Sequence, residues 1–173
     1  IAKFPAGMIV YVHLERGRLG YLSGRSIEGK QHYNPPKAVI GERRPFANRL
    51  YTLDADQVVL VEGQADAITF GEWGFPALAI AGMHVADDLL TALRKHRRVF
   101  VARDNTPDAM QKNREIARSL GSCALIPRLP DGIKDANDWL TQGGSAEDVQ
   151  AALNKAKTWL QTEIERAAFL DGL

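Results

Sequence analysis

The sequence contains a single cysteine, Cys123, which excludes an intramolecular disulfide. Because Cys123 lies in a short apolar run, we expect a small buried core residue there rather than a reactive thiol. No apolar run approaches the length of a membrane-spanning helix, and the first residues do not form a signal sequence. We therefore expect a cytoplasmic protein with no membrane partner. The chain begins with Ile1 rather than Met, which indicates a piece of a longer protein.

An excess of charge of either sign is also missing, since the chain has 22 Lys and Arg residues and 21 Asp and Glu residues. A net charge of +1 excludes a polybasic protein, so binding to nucleic acid would need a local basic patch. The four histidines lack the spacing of metal ligands or of a catalytic triad, and we expect them at the surface or in the core. With 45% apolar and 25% charged residues, the composition is that of one soluble domain with an appendage, or of two small domains.

The first fifty residues predict short strands rather than helices. Residues 8–14 alternate loosely between two faces, and residues 19–22 form a second apolar run. Between them, Glu15-Arg16-Gly17-Arg18 is typical of a hairpin turn. We predict a small β-rich subdomain over residues 1–53.

From residue 54 onward, strand and helix patterns alternate. We predict strands over 58–61, 77–80, 98–102 and 122–126, and helices over 65–73, 87–96 and 107–120. The last of these helices has Thr106 as its N-cap, proline at its first position and Gly121 after its end. Such alternation predicts an α/β fold with a parallel sheet covered by helices on both faces.

The end of the chain predicts one long helix. Residues 145–148, Ser-Ala-Glu-Asp, resemble a capping box that opens it. Apolar side chains then recur at helical spacing, at Val149, Leu153, Ala156, Leu160 and Ile164. This stripe would pack on the sheet or dock on a partner.

Carboxylates follow the predicted strands. Glu62 and Asp66 lie at the first junction of strand and helix, Asp104 follows the third strand, and Asp135 and Asp138 follow the last. In open α/β sheets, ligands bind at this carboxyl edge. Mg²⁺ prefers oxygen ligands, and carboxylates from separate loops would suit phosphoryl or nucleotidyl transfer. The alternative is that each carboxylate only caps a helix.

Three of these segments carry a resemblance to a known family. They are Val-Glu-Gly-Gln-Ala-Asp at residues 61–66, the aspartate loop after the third strand, and Lys-Asp-Ala-Asn-Asp-Trp-Leu at residues 134–140. Together they resemble the Toprim domain of bacterial and phage DNA primases. The resemblance implies a Toprim domain over residues 54–142, a β-rich primase subdomain over 1–53 before it, and a C-terminal helix over 143–173.

The resemblance also implies a function and a cofactor. It implies a DNA primase-type nucleotidyltransferase core that makes RNA primers on single-stranded DNA from nucleoside triphosphates, with a replicative helicase as a candidate partner. Mg²⁺ or Mn²⁺ would be held by the glutamate loop and the aspartate loops. The implied catalytic residues are Glu62, Asp104 and Asp135, and the implied metal ligands are these three with Asp66 and Asp138.

The N-terminal part resembles the same family through a shorter match. Gly24-Arg25 and the Lys-Gln-His-Tyr-Asn segment at residues 30–34 correspond to primase motifs. The resemblance implies that basic residues hold template and nucleotides, and the candidates are Arg25, Lys30 and Lys37, followed by Arg43 and Arg44. The alternative is a solvated loop surface.

The central loop departs from the family pattern. Thr106 stands where a second aspartate is usual, and a hydroxyl contributes far less than a carboxylate to binding a hard dication. Arg103 beside Asp104 would repel a metal ion if it faced the site. We therefore keep two alternatives open: a non-catalytic module that binds nucleic acid or a partner, and a Toprim nuclease.

Overall fold

The computed structural model describes residues 4–15, 18–29, 31–41, 44–48, 54–80 and 85–171. The chain begins with a small antiparallel sheet of β1 (Met8–Glu15), β2 (Arg18–Ser26) and β3 (His32–Tyr33), in that order. The predicted hairpin is confirmed, although Arg16 and Gly17 of its turn lie outside the described residues. Tyr11 and His13 are buried, while Val10 and Val12 on the other face are exposed.

The remaining elements of the first half are short. A one-turn helix, α1 (Lys37–Ile40), precedes β4 (Phe46–Ala47). The alternating part then contains β5 (Gln57–Val61), α2 (Gln64–Glu72), β6 (Ala77–Ala79), α3 (Asp87–Leu93), β7 (Arg98–Val101), α4 (Pro107–Leu120) and β8 (Ala124–Leu125). Three helices complete the chain: α5 (Ala136–Thr141), α6 (Ala146–Asn154) and α7 (Trp159–Asp171).

The larger sheet has five strands in the order β4-β6-β5-β7-β8. Four of them are parallel, and β4 pairs with β6 in the antiparallel direction. The predicted α/β fold with a parallel sheet is confirmed. The edge strand β4 comes from the segment predicted to form the β-rich subdomain, so the larger sheet extends into that segment.

Side chains of β5 alternate between two apolar cores. Val58 and Leu60 pack with residues of α3 and α4, whereas Val59 and Val61 pack with residues of α2, α5 and α6. All four side chains are almost fully buried, which explains the unbroken apolar run in the sequence. Because helices cover both faces of the sheet, the ends of the strands are the part of the sheet that a ligand can reach.

The caps predicted for α4 are present. Thr106 accepts a hydrogen bond from the Ala109 N–H at 3.3 Å, Pro107 occupies the first turn, and Gly121 follows the helix with φ of 81°. The predicted strand over 122–126 is shorter, because residues 121–123 form a 3₁₀ turn before β8. Cys123 lies in this turn and is only half-buried, contrary to the expected core position.

The prediction of one long C-terminal helix is wrong. Ser145 and Asp148 do form a capping box, but the helix they open ends at Asn154. The backbone of Lys157 instead pairs with Ile126, with N···O distances of 2.7 and 3.1 Å. A continuous helix would have used those backbone groups internally, so α7 starts anew at Trp159. The predicted stripe is broken as a result, and its later members Leu160 and Ile164 are exposed.

In the described part of the chain, no helix has the length and apolar character needed to cross a membrane.

Candidate active site

Three loops meet at the carboxyl edge of the larger sheet. Glu62 follows β5 directly, Asp104 follows β7, and Asp135 lies at the start of α5 after β8. The register pairs Leu60 with Val101, so the residues just beyond β5 and β7 are also neighbours. The structure thus brings together the three residues that the sequence analysis selected as catalytic candidates.

Asp66, in the first turn of α2, completes a group of four carboxylates. Burial, followed by the charges of Asp135 and Asp104, raises the pKa of Asp66 to about 6. The pKa of Asp104 is raised too, first by burial and then by the charge of Glu62. These shifts show that the four carboxylates are close enough to repel one another.

Lys134 relieves part of this repulsion. Its Nζ lies 3.1 Å from Oδ2 of Asp135 and 3.6 Å from Oδ2 of Asp104. The hydrogen bond to Asp135, together with the charges of both aspartates, raises the pKa of Lys134. Because 63% of the lysine side chain is exposed, water weakens these pairs. The ammonium therefore lies between the two aspartates without being locked there.

Arg103 faces the site, and it neutralises Glu62. Its Nη2 donates to Oε2 of Glu62 at 2.6 Å, and the arginine side chain is 1% exposed while that of Glu62 is 37% exposed. This ion pair was not predicted, because Arg103 and Glu62 lie opposite each other only through the register of two strands that are distant in the sequence.

The third loop is organised by its own carboxylates. Oδ1 of Asp135 accepts the Asp138 N–H at 2.8 Å and so caps α5. Asp138 accepts the Lys134 N–H at 2.9 Å with Oδ2 and the Gln142 side-chain amide at 3.0 Å with Oδ1. These bonds lower the pKa of Asp138. Both oxygens of Asp138 therefore accept hydrogen bonds within the loop, and its role as a metal ligand stays a prediction.

The second loop is tied to the third. Asn105 donates its backbone N–H to the Lys134 carbonyl at 2.6 Å and its side-chain amide to the Ile133 carbonyl at 3.1 Å. The next residue, Thr106, uses its hydroxyl as the N-cap of α4. Asp108, in the first turn of that helix, is exposed. Thr106, which stands where a second aspartate was expected, therefore uses its side chain to cap α4.

A cleft of about 190 Å³ separates the small sheet from the glutamate loop. Its lining combines side chains and backbone from both sides, namely Tyr11, Ser23, Gly24, His32, Asn34, Glu62, Gly63 and Gln64. The sequence analysis missed Tyr11 and assigned no functional role to His32. For His32, the primase-like Lys-Gln-His-Tyr-Asn segment was the available signal, whereas nothing in the sequence pointed to Tyr11.

The predicted basic residues differ in what the structure shows of them. Arg25 is exposed on β2. Burial raises the pKa of Tyr11, the charge of Arg25 offsets part of that rise, and the charge of Asp66 adds to it. Lys37 opens the short helix α1 and is also exposed.

Two further basic candidates, Lys30 and Arg43, lie outside the described residues. The backbone of Arg44 exchanges hydrogen bonds with the Tyr21 hydroxyl at 3.1 and 3.3 Å, so this segment packs on the small sheet.

The donor set fits a hard divalent cation only in part. Among the described residues, no three His, Cys, Asp or Glu side chains are arranged to hold one metal ion. Asp66, Asp104 and Asp135 have the right chemistry, since they are hard oxygen donors that repel one another. Glu62 does not fit, because its carboxylate is paired with the buried guanidinium of Arg103. Thr106 does not fit either, because its hydroxyl caps the N-terminus of α4.

Comparison with known proteins identifies the fold. The sequence matches no protein-family model and no curated protein. The zinc-binding and RNA polymerase domains of Aquifex aeolicus primase superpose with a TM-score of 0.75 at 19% identity, over 94% of this chain and 43% of that one. The DnaG primase catalytic domain bound to single-stranded DNA gives 0.71 at 20% identity, over 88% and 53%. The primase fragment of the bacteriophage T7 primase-helicase gives 0.64 at 16% identity, over 83% and 62%.

The chain spans 43% to 62% of the length of these three structures. At such low identities the likeness shows the fold alone. The chain therefore has a primase-like α/β fold with four carboxylates at the carboxyl edge of its sheet.

Proposed function

We propose that this chain is the nucleotidyl-transfer core of a primase-like protein, which makes RNA primers on single-stranded DNA for replication. The observation that carries the proposal is the convergence of three acidic loops at the carboxyl edge, beside a cleft shared with the small sheet. The fold shared with primase catalytic cores supports it. We further propose that residues 54–142 are a Toprim domain, flanked by a β-rich subdomain (1–53) and a C-terminal helical segment (143–173).

In this proposal three carboxylates bind the metal ion. Asp66, Asp104 and Asp135 would hold Mg²⁺ or Mn²⁺ once their side chains reorient, since no three carboxylates of the described residues are arranged to hold one ion as they stand. The bound ion would supply a Lewis acid for the reacting phosphate. Lys134 already provides positive charge between two of them, and an ion bound there would take over that charge. Burial, followed by the charges of Asp135 and Asp104, raises the pKa of Asp66, so its ionised form is disfavoured and would gain from a nearby cation.

The small sheet would supply the nucleic-acid contacts. We propose that Arg25, Lys30 and Lys37 contact phosphates of the template or of the incoming nucleotide, since Arg and Lys bind phosphate through charge-assisted hydrogen bonds. Asn34 and His32, which line the cleft, would offer polar contacts beside them. A DnaG catalytic domain bound to single-stranded DNA shares this fold, which supports that substrate.

A helicase is a proposed partner. The primase fragment with the same fold comes from a T7 protein that is both primase and helicase. A partner that unwinds duplex DNA would supply the single strand that this chain copies. The proposed location is the cytoplasm, where the DNA would be replicated.

A second function is favoured by one specific pair of observations. Glu62 is neutralised by Arg103, and Thr106 caps a helix in place of a carboxylate. With Glu62 neutralised and no carboxylate at position 106, the chain could bind single-stranded DNA without joining nucleotides. Its expected behaviour is DNA binding with no RNA product.

Primer synthesis tests the proposal. The whole chain is incubated with a single-stranded DNA template, the four ribonucleoside triphosphates and Mn²⁺, and short RNA is resolved on a denaturing gel. Because Asp104 lies among the ion-binding carboxylates, we expect Asp104→Asn to reduce RNA synthesis by about 100-fold or more. The matched control is Asp56→Asn, which removes an exposed aspartate at the opposite edge of the sheet and should preserve synthesis.

The outcomes separate the candidate functions. RNA synthesis that Asp104→Asn leaves intact would contradict the proposed site. DNA binding without RNA would favour the binding module, and cleavage of the template would favour a nuclease.

A further inference from the structure

We infer that Arg103 is a permanent cation of the glutamate loop, and that Glu62 is its counter-ion rather than a ligand of a divalent metal ion. The inference concerns how many ions the site takes and which residues bind them. It rests on the proposal that the acidic loops address a divalent cation, and it does not depend on primer synthesis.

The geometry places the guanidinium behind the carboxylate. Arg103 is buried beneath the site, while Glu62 lies on the cleft and is partly exposed. Backbone pairing continues past the strands, since the Ala102 N–H donates to the Leu60 carbonyl at 2.9 Å. Neighbouring backbones therefore hold the two charged side chains at the same level of the sheet.

The chemistry of arginine makes separation of Arg103 from Glu62 unfavourable. A guanidinium stays protonated at any physiological pH, so a buried arginine cannot escape its charge by losing a proton. A metal ion that captured Glu62 would leave the buried guanidinium without its carboxylate and would also repel it. Lys134 differs, because its side chain is exposed and can turn away into water.

The charges in the site lead to the same conclusion. Glu62, Asp66, Asp104 and Asp135 carry four negative charges when ionised, and Arg103 and Lys134 carry two positive ones. Arg103 cancels the charge of Glu62, and Lys134 can turn away into water, so three negative charges would face the bound ion. One divalent ion leaves a charge of −1 there, whereas a second would reverse it to +1. Thr106 adds no carboxylate, since its hydroxyl caps α4. We therefore expect a single ion at the aspartates and none at Glu62.

A titration of the whole chain with Mn²⁺ tests this inference. The electron paramagnetic resonance signal of free Mn²⁺ is lost on binding, so its decrease measures how many ions are bound and how tightly. We expect wild-type protein to bind one Mn²⁺, with an affinity that Asp104→Asn lowers by about tenfold or more. Glu62→Gln alone would leave the buried guanidinium uncompensated and would weaken Mn²⁺ binding through its charge. The role of Glu62 is therefore measured with the double variant Glu62→Gln/Arg103→Met, whose affinity should stay within about threefold of wild type. Arg103→Met frees the glutamate, so we expect it to raise Mn²⁺ affinity by about fivefold or more.

The double variant Glu62→Gln/Arg103→Met provides the matched control, because it removes the buried charge and its partner together. It should lose the gain in affinity seen for Arg103→Met. A weakening by the double variant equal to that by Asp104→Asn would overturn the inference, as would two ions or none in the wild type, or no gain in Arg103→Met.

Circular dichroism checks that each variant is folded. Should Arg103→Met unfold, the comparison of the double variant with Asp104→Asn decides on its own. This result is distinct from the fate of the proposed function: the expected Mn²⁺ pattern in a chain that makes no RNA would refute primer synthesis and leave the role of Arg103 standing.

Discussion

Asp66 lies at the start of α2, where burial and neighbouring carboxylates both disfavour its charged form. Its pKa in the folded protein is about 6, compared with 3.8 for an unperturbed aspartate. The folded state therefore holds the proton more tightly than the unfolded state does. The stability associated with that proton is complete below about pH 4 and is lost as the pH rises to about 6.

We therefore expect Asp66→Asn to stabilise the protein at pH 8. The gain in the free energy of unfolding should be about 1–3 kcal/mol, because a shift of two pKa units corresponds to at most about that amount. The gain should shrink toward zero at about pH 3, where Asp66 is largely protonated in both the folded and the unfolded protein. Urea denaturation with a chelator present, at both pH values, measures the difference.

Asp56→Asn serves as the control, since Asp56 is 80% exposed and lies at the opposite edge of the sheet. Its effect on stability should be small at both pH values. An Asp66→Asn variant that is no more stable than wild type at pH 8 would show that burial and neighbouring charges do not destabilise the ionised Asp66.

At the scale of elements, the break between α6 and α7 decides how the end of the chain packs. Thr158 and Gln161 form a second capping box: the Thr158 N–H donates to Gln161 Oε1 at 2.9 Å, and the Gln161 N–H donates to Thr158 Oγ1 at 3.3 Å. The helix that starts here places Trp159 against α4, where the Arg118 guanidinium lies over its ring. Glu163 also reaches Arg114 of α4 at 3.1 Å.

We expect Thr158→Ala to loosen α7. Loss of an N-cap hydroxyl costs about 1 kcal/mol, so backbone amides in the first turns of α7 should exchange with solvent about fivefold faster. Hydrogen exchange followed by mass spectrometry measures this. Thr91→Ala is the matched control, because that hydroxyl bonds a carbonyl inside α3 rather than capping a helix. Equal exchange in wild type and Thr158→Ala would mean that packing on α4 alone fixes where α7 starts.

At the scale of the whole molecule, a net charge of +1 leaves little general attraction for nucleic acid. The proposed binding of single-stranded DNA would then depend on a few cations near the cleft. Arg25 is one candidate, since it is exposed on β2 next to Gly24 of the cleft lining. The two edges of the sheet differ in this respect, since Arg97 pairs with Asp56 at the edge away from the cleft.

We expect Arg25→Gln to weaken binding of single-stranded DNA by about threefold to tenfold at low salt. One phosphate contact fewer should lower the slope of log affinity against log salt by about 0.7. Fluorescence anisotropy with a labelled oligonucleotide at several salt concentrations measures both effects. Arg97→Gln removes an equal charge far from the cleft and should leave the slope unchanged. Identical slopes for the two variants would argue against a DNA contact at Arg25.

Sequence reasoning reached the α/β fold and the convergence of acidic loops because both depend on local patterns. The apolar run before Glu62 and the caps of α4 are readable from neighbouring residues alone. The break at residues 155–158 was also signalled, by the Thr-Trp-Leu-Gln capping pattern at 158–161, but its cause was not. Pairing of Lys157 with Ile126 joins residues that are distant in the chain, and no local pattern predicts it.

What the sequence determined by itself is the order of strands and helices, and which carboxylates lie at strand ends. Periodicity and capping operate within a few residues, so they can be read before the chain folds. Only the tertiary structure decided which charges neutralise each other: Arg103 with Glu62, and Lys134 with Asp104 and Asp135. Coulomb interactions act through space and depend on burial, so the chemistry of a carboxylate is set by neighbours from other loops.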